Sequence, residues 1–165
     1  MSAEPTAQRE RPLLFALTVC LALLCLPMLG QTSTPSSISK ARGDNLTLEI
    51  SANSQPNRAP VALKWEVVFP VQLMELEGTA PEIGAAAKEA GKSLECSSQR
   101  PYRSVCTLSG GKNPIADGTV AIYHFKIRTT ALAGTTSLKV EKTEATAADS
   151  KKWTLNNTET IVIIH

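Results

Sequence analysis

Histidine is scarce in this chain, with 2 among 165 residues, so general acid–base chemistry near neutral pH has almost no carriers. His165 is the last residue, and His124 falls inside an alternating apolar and polar run, where a solvent-facing strand position accounts for it. The sequence also lacks a Gly-x-Ser-x-Gly elbow, a His-Glu-x-x-His pair, a phosphate-cradling glycine motif and a Cys-x-x-Cys cluster. Those gaps remove the usual signatures of serine hydrolases, zinc proteases, nucleotide-binding proteins and thiol or zinc sites. Glu75 and Glu77 are close in sequence, but strand alternation explains them more simply than the separated carboxylates of a glycosidase cleft. No Asp-rich loop gathers the several oxygens that calcium needs, so Asp44, Asp117 and Asp149 read as turn formers. The expectation is a protein that is not an enzyme and that takes no metal or cofactor.

Charge is thin and mixed, with 17 Lys and Arg against 15 Asp and Glu for a net of +2. Nothing resembles the clustered basic patch that nucleic acid calls for. An apolar run of about 20 residues, the length of a membrane span, is missing too. The longest run, residues 13–26, lies behind Arg9 and Arg11 and ahead of Pro27 and Gly30, which is the plan of a secretory leader. Residues 1–30 are therefore expected to be a signal peptide cleaved near Gly30, residues 31–42 a polar Ser/Thr/Pro-rich linker, and residues 43–165 one domain. That length can close a single two-layer core. The product should be secreted, with a periplasmic or N-terminally anchored surface form as the alternative; it would touch a membrane only if the leader stayed on.

Of the 4 cysteines, Cys20 and Cys25 belong to the leader. Cys96 and Cys106 remain, flanking a short loop, and in an oxidising compartment that arrangement predicts a disulfide pinning a hairpin.

What the chain has in quantity is strand signal. Asp117-Gly118 makes a turn, and the run after it puts Ala121, Tyr123, Phe125 and Ile127 on one face and Val120, Ile122, His124 and Lys126 on the other. Residues 45–51 alternate Leu46, Leu48 and Ile50 with polar neighbours. Val61, Leu63, Trp65, Val67 and Phe69 share a side, Pro70 interrupts, and residues 72–76 resume at a sheet edge. Thr79 and Glu82 have the spacing of a capping box ahead of an alanine-rich helix at 85–90 that ends at Gly91. Residues 93–97 and 103–108 form the hairpin, 136–145 and 159–164 two more strands. The last is apolar on both faces and so is expected at a central position. The fold class is all-β: a jelly-roll β-sandwich of about nine strands with one short helix.

Three of these stretches together resemble cohesin-like domains, the β-sandwich modules that receive dockerins in cellulosomal scaffolds and are related to a carbohydrate-binding superfamily. They are residues 61–70, ending at Phe69-Pro70; residues 113–127, a loop, Asp117-Gly118 and an apolar strand closing on Phe125-Lys126-Ile127; and the tail from Ser137 through Asp149 to residues 161–164. The likeness spans residues 43–165. It implies a bacterial, non-catalytic adhesion module with a dockerin-like protein partner, although no dockerin-recognition residue can be matched position by position. The alternative is a carbohydrate-binding module for polysaccharide, which would need exposed rings. Strand phase assigns Trp65, Phe69, Tyr123 and Phe125 to the core and leaves Trp153 and Tyr102 as possible ligand contacts. A coplanar exposed pair including either would favour sugar; a flat, ring-poor sheet face would favour protein.

Overall fold

The computed structural model describes residues 36–53, 58–100 and 102–165; the expected leader with Cys20 and Cys25, the expected cleavage near Gly30 and residues 31–35 lie outside the described residues. Strands β1 (Ser36–Lys40), β2 (Asn45–Ala52), β3 (Ala62–Val68), β4 (Met74–Leu76) and β5 (Glu82–Ile83) precede the helix α1 (Ala85–Glu89). After it come β6 (Ser93–Arg100), β7 (Arg103–Ser109), β8 (Gly118–Ile127), β9 (Gly134–Thr146), β10 (Lys152–Thr154) and β11 (Thr158–Ile164). They form two sheets. One runs β1-β11-β9-β3-β7-β6 with β10 attached to β9, and the other runs β2-β8-β4 with β5 attached to β8. This is the expected sandwich; the short β5 and β10 and the N-terminal β1 raise the strand number above nine.

Alternation builds the core. Ala121, Tyr123, Phe125 and Ile127 of β8 are fully buried against Leu63, Trp65 and Val67 of β3, with Leu138, Val140, Val162 and Ile164 completing the opposite sheet. Pro70 acts as the hinge between layers: β3 ends before it, Leu73 and Met74 both donate backbone N–H bonds to its carbonyl, and β4 then pairs with β8 in the other sheet. The loop ahead of β8 is fixed by Lys92, whose Nζ donates to the carbonyls of Gly110 (2.7 Å) and Gly111 (3.3 Å). Burial lowers the pKa of that ammonium.

One polar contact joins the layers from within. Trp65 Nε1–H donates to the Tyr123 hydroxyl at 3.0 Å, and that hydroxyl lies 2.9 Å from Cys106 Sγ. Cys106 is disulfide-bonded to Cys96, directly opposite it in the β6–β7 ladder with the Cα atoms 4.1 Å apart. A disulfide sulfur has no hydrogen to give, so Tyr123 is the donor to it. Burial pushes the Tyr123 phenol up from its ordinary 10.0, outweighing the lowering effect of the bonds with Trp65 and Ser104.

Three local expectations need correction or refinement. Residues 36–40, read as part of a polar linker, form β1 and pair in parallel with β11 from Ser36↔Thr160 to Lys40↔Ile164. Ladder hydrogen bonds depend on backbone, so a Ser-rich segment can satisfy them without an apolar face. The capping box at Thr79 and Glu82 is absent: Gly84 is the N-cap, without a side-chain cap bond, and Glu82 pairs with Ile122 in β5. Strand pairing, continued by Gly84 N–H to the Val120 carbonyl at 2.9 Å, outcompetes a local motif. The C-terminal signal does hold. Gly91 takes φ +67, its N–H reaches the Lys88 carbonyl, and that of Lys92 reaches Ala87, a Schellman closure. In β9 a bulge at Lys142, φ 50, switches the inward positions from Leu138 and Val140 to Thr143 and Ala145. The apolar β11 lies inside the sheet as expected, between β1 and β9.

Three outcomes are expected. Gly84→Ala should destabilise the fold by more than the ~1 kcal/mol of an average point substitution, because its Cβ would fall 2.8 Å from the Val120 carbonyl carbon and closer still to Thr119; denaturant unfolding measures it. Reducing the disulfide should cost roughly 2 to 3 kcal/mol by loop-closure entropy, and alkylation of the unreduced protein should label neither Cys96 nor Cys106. Tyr123→Phe strands the Trp65 N–H and should cost about 1–3 kcal/mol at neutral pH. The folded phenol has the higher pKa, so Tyr123 contributes its full stability below pH 10.0 and loses it as pH climbs from the unfolded value through the folded one. Melting temperatures of the wild type and Tyr123→Phe should therefore converge in that alkaline window.

Candidate partner-binding face

With Leu63, Trp65 and Val67 turned inward, β3 presents Lys64, Glu66 and Val68 on the outside of the larger sheet. Its neighbours follow the same parity. β7 sends Ser104, Cys106 and Leu108 inward and Arg103, Val105 and Thr107 outward, in register with Val68, Glu66 and Lys64. On the other side, Lys139 and Glu141 of β9 lie opposite Val68 and Glu66, and Glu144 opposite Lys64. No helix covers these strands among the described residues, since α1 packs against β8 of the smaller sheet with Ala86 and Ala87 in the core. The result is a flat, mixed-charge face several strands wide.

Glu66 is at its centre. Only 12% of its side chain is exposed, and it is ion-paired with Arg103 on one side and with Lys142 Nζ at 3.2 Å on the other. The bulge in β9 is what brings Lys142 round to this position; its backbone N–H is held by Asn157 Oδ1 at 3.2 Å. Arg100, at the end of β6, donates to the Tyr102 hydroxyl at 2.8 Å. Glu66, Arg100, Tyr102, Arg103 and Lys142 together line a shallow pocket of about 250 Å³. Further pairs stiffen the surroundings: Lys152 with Glu144 at 2.7 Å and Lys139 with Glu159 at 3.6 Å.

The two rings singled out from sequence do not meet. Trp153 pairs with Ala145 of β9, which lies opposite Leu63 at the start of β3. Tyr102 adjoins Arg103, opposite Val68 at the far end, and its carbonyl accepts the Phe69 N–H at 3.0 Å. Five residues of strand separate the two, about 17 Å. Trp153 shares the inward side of fully buried Ala145 and packs against the core, so only part of it reaches the cleft that it lines with Arg58, Asp149 and Lys151. A sugar-stacking platform from this pair is not present. The ring contacts of the described residues are internal ones, Phe69 with Phe125 and Tyr123 with Phe125.

His124 is on the outer side of β8 with its Nε2 3.6 Å from Glu82 Oε1, both side chains well exposed. Glu75 is engaged by Arg128 at 3.1 Å, and Glu77 follows β4 in an exposed position. The Glu77 N–H donates to the His124 carbonyl at 2.7 Å, so His124, Glu77 and Glu82 are neighbours on the exposed outer side of the smaller sheet, with all three side chains open to solvent. Sequence reasoning missed the Glu66 cluster, because it searched for rings and nucleophiles; the available signal was Lys64 and Glu66 between buried positions of β3, facing the arginines that bracket the hairpin turn.

No protein-family model matches the chain, and no curated protein sequence matches it. Solved structures do. A type I cohesin of Clostridium thermocellum, from a complex with the dockerin Doc918, superposes with a TM-score of 0.66 at 14% identity, covering 79% of this chain and 95% of that one. The sixth cohesin of scaffoldin B from Acetivibrio cellulolyticus, in complex with a Cel5 dockerin, gives 0.64 at 12%, with 79% and 95% covered. A non-cellulosomal cohesin of the archaeon Archaeoglobus fulgidus gives 0.60 at 13%, with 79% and 87% covered. Agreement over nearly the whole length of those modules, with so little identity, makes the sandwich described above a cohesin-like domain by fold.

Proposed function

We propose that this protein is an exported, non-catalytic binding module whose outer β9-β3-β7-β6 face docks a protein partner of the dockerin type. The observation that carries this reading is the face itself: broad, uncovered among the described residues, poor in rings and centred on a half-neutralised ion cluster. The four strands of this face, about 4.8 Å apart, place its outer strands roughly 14 Å from one another within a six-strand sheet of about 24 Å, whereas the β2-β8-β4 path spans about 10 Å. Two of the structural neighbours were solved with dockerins bound, which supports a protein ligand for the shared fold. The disulfide fits export behind a leader at residues 1–30. The polysaccharide reading draws no support from the placement of Trp153 and Tyr102.

The test is a pull-down of culture fluid from the source organism on the immobilised protein, with mass spectrometry of what is retained. A discrete secreted protein is expected, and a charge-reversing change on β3, Lys64→Glu, should reduce its retention several-fold. Retention of the module on insoluble polysaccharide with no protein recovered would overturn the proposal.

A further inference from the structure

We propose that the pocket beside Glu66 is an anchor for a carboxylate side chain, so that the partner presents an acidic segment to this end of the face. The inference rests on the docking reading above and names the chemistry of what is docked. Three cationic side chains, Arg100, Arg103 and Lys142, surround a single carboxylate in a pocket of about 250 Å³. Glu66 already serves two of them and is itself largely buried, so its charge is committed. Arg100 is not matched by any acid among the described residues; its guanidinium contact is the neutral Tyr102 hydroxyl. A guanidinium carries five N–H donors in a planar fork, suited to a carboxylate in bidentate fashion. Glu141 faces the same side opposite Glu66, so three cations meet two carboxylates, and the remaining positive charge would be met by one further carboxylate arriving from outside. Such complementarity acts chiefly on partner choice and encounter rate.

The site is also prepared for this role. Arg103 is held by Glu66 with a quarter of its side chain exposed, and Arg100, the last residue of β6, is steadied by Tyr102 just before β7. The neighbouring disulfide ties those two strands together, so little freedom is lost when a ligand arrives. A protein segment is favoured over an acidic polysaccharide because no ring flanks the pocket except Tyr102, whose hydroxyl is already engaged.

The experiment is a heteronuclear NMR titration of the intact protein at low salt with a capped hexaglutamate peptide, with hexalysine and polygalacturonate run in parallel. Hexaglutamate should shift the Arg100, Arg103 and Lys142 signals, and Arg100→Glu should weaken it by about tenfold or more. Arg100→Gln should lie between, and Lys142→Asn, which tolerates the left-handed bulge, should weaken it in the same direction. An unchanged melting temperature for Arg100→Glu separates lost binding from lost folding. Shifts that avoid these residues, or that survive Arg100→Glu, overturn the proposal, as does a response to polygalacturonate alone. If a partner recovered by pull-down is retained equally by wild type and Arg100→Glu, the anchor is wrong and the docking face stands. If the wild type recovers no partner, the docking reading fails, and the peptide titration still decides whether the pocket takes carboxylates.

Discussion

The sandwich depends on the contact between Trp65 and Tyr123. Each belongs to a different sheet, each is fully buried, and each brings a polar atom that would be costly to leave unpaired. Bonded to each other, and through the hydroxyl to the Cys106 sulfur, they turn two liabilities into a cross-layer tie. Apolar packing alone would hold the sheets face to face but would tolerate sliding; a directional bond fixes which residue of β3 lies over which residue of β8. The register of everything outward follows. If β3 is locked by Trp65, then Glu66 must point out, and Arg103 and Lys142 find it only in that one alignment.

Seen from this side, the outer face is a by-product of the inner one. The bulge in β9 is the exception, since no packing need of Leu138 or Val140 calls for it. It reverses the parity of the strand, buries Thr143 and Ala145, and swings Lys142 toward Glu66. A small backbone irregularity thus supplies one of the three cations at the centre of the face. Bulges that re-aim a side chain near a binding surface are a familiar use of this defect.

The two-layer fold was legible wherever side-chain period decides structure. Alternation at 61–69 and 118–128 correctly sorted Leu63, Trp65, Val67, Tyr123, Phe125 and Ile127 into the core, Pro70 marked the break ahead of an edge strand, and Gly91 marked the end of the helix. What escaped depends on partners distant in sequence. Residues 36–40 carry no apolar pattern and become a strand because β11 offers them a free edge. Thr79 and Glu82 carry a good helix-start motif and lose it because β8 offers better hydrogen bonds. The Glu66 cluster draws on four strands and a bulge, and no local window contains it. Tyr102 and Trp153 were separable as candidates, but their distance along β3 could come only from the pairing.

The parallel pairing of β1 with β11 at the sheet margin has a mechanical meaning. Tension that draws Ser36 and Ile164 apart pulls the two strands in opposite senses along their length, so their slanted, evenly spaced hydrogen bonds resist together. An antiparallel terminal pair pulled the same way would unzip bond by bond. A load applied across those two strands would, by this geometry, be borne in shear by the whole ladder at once.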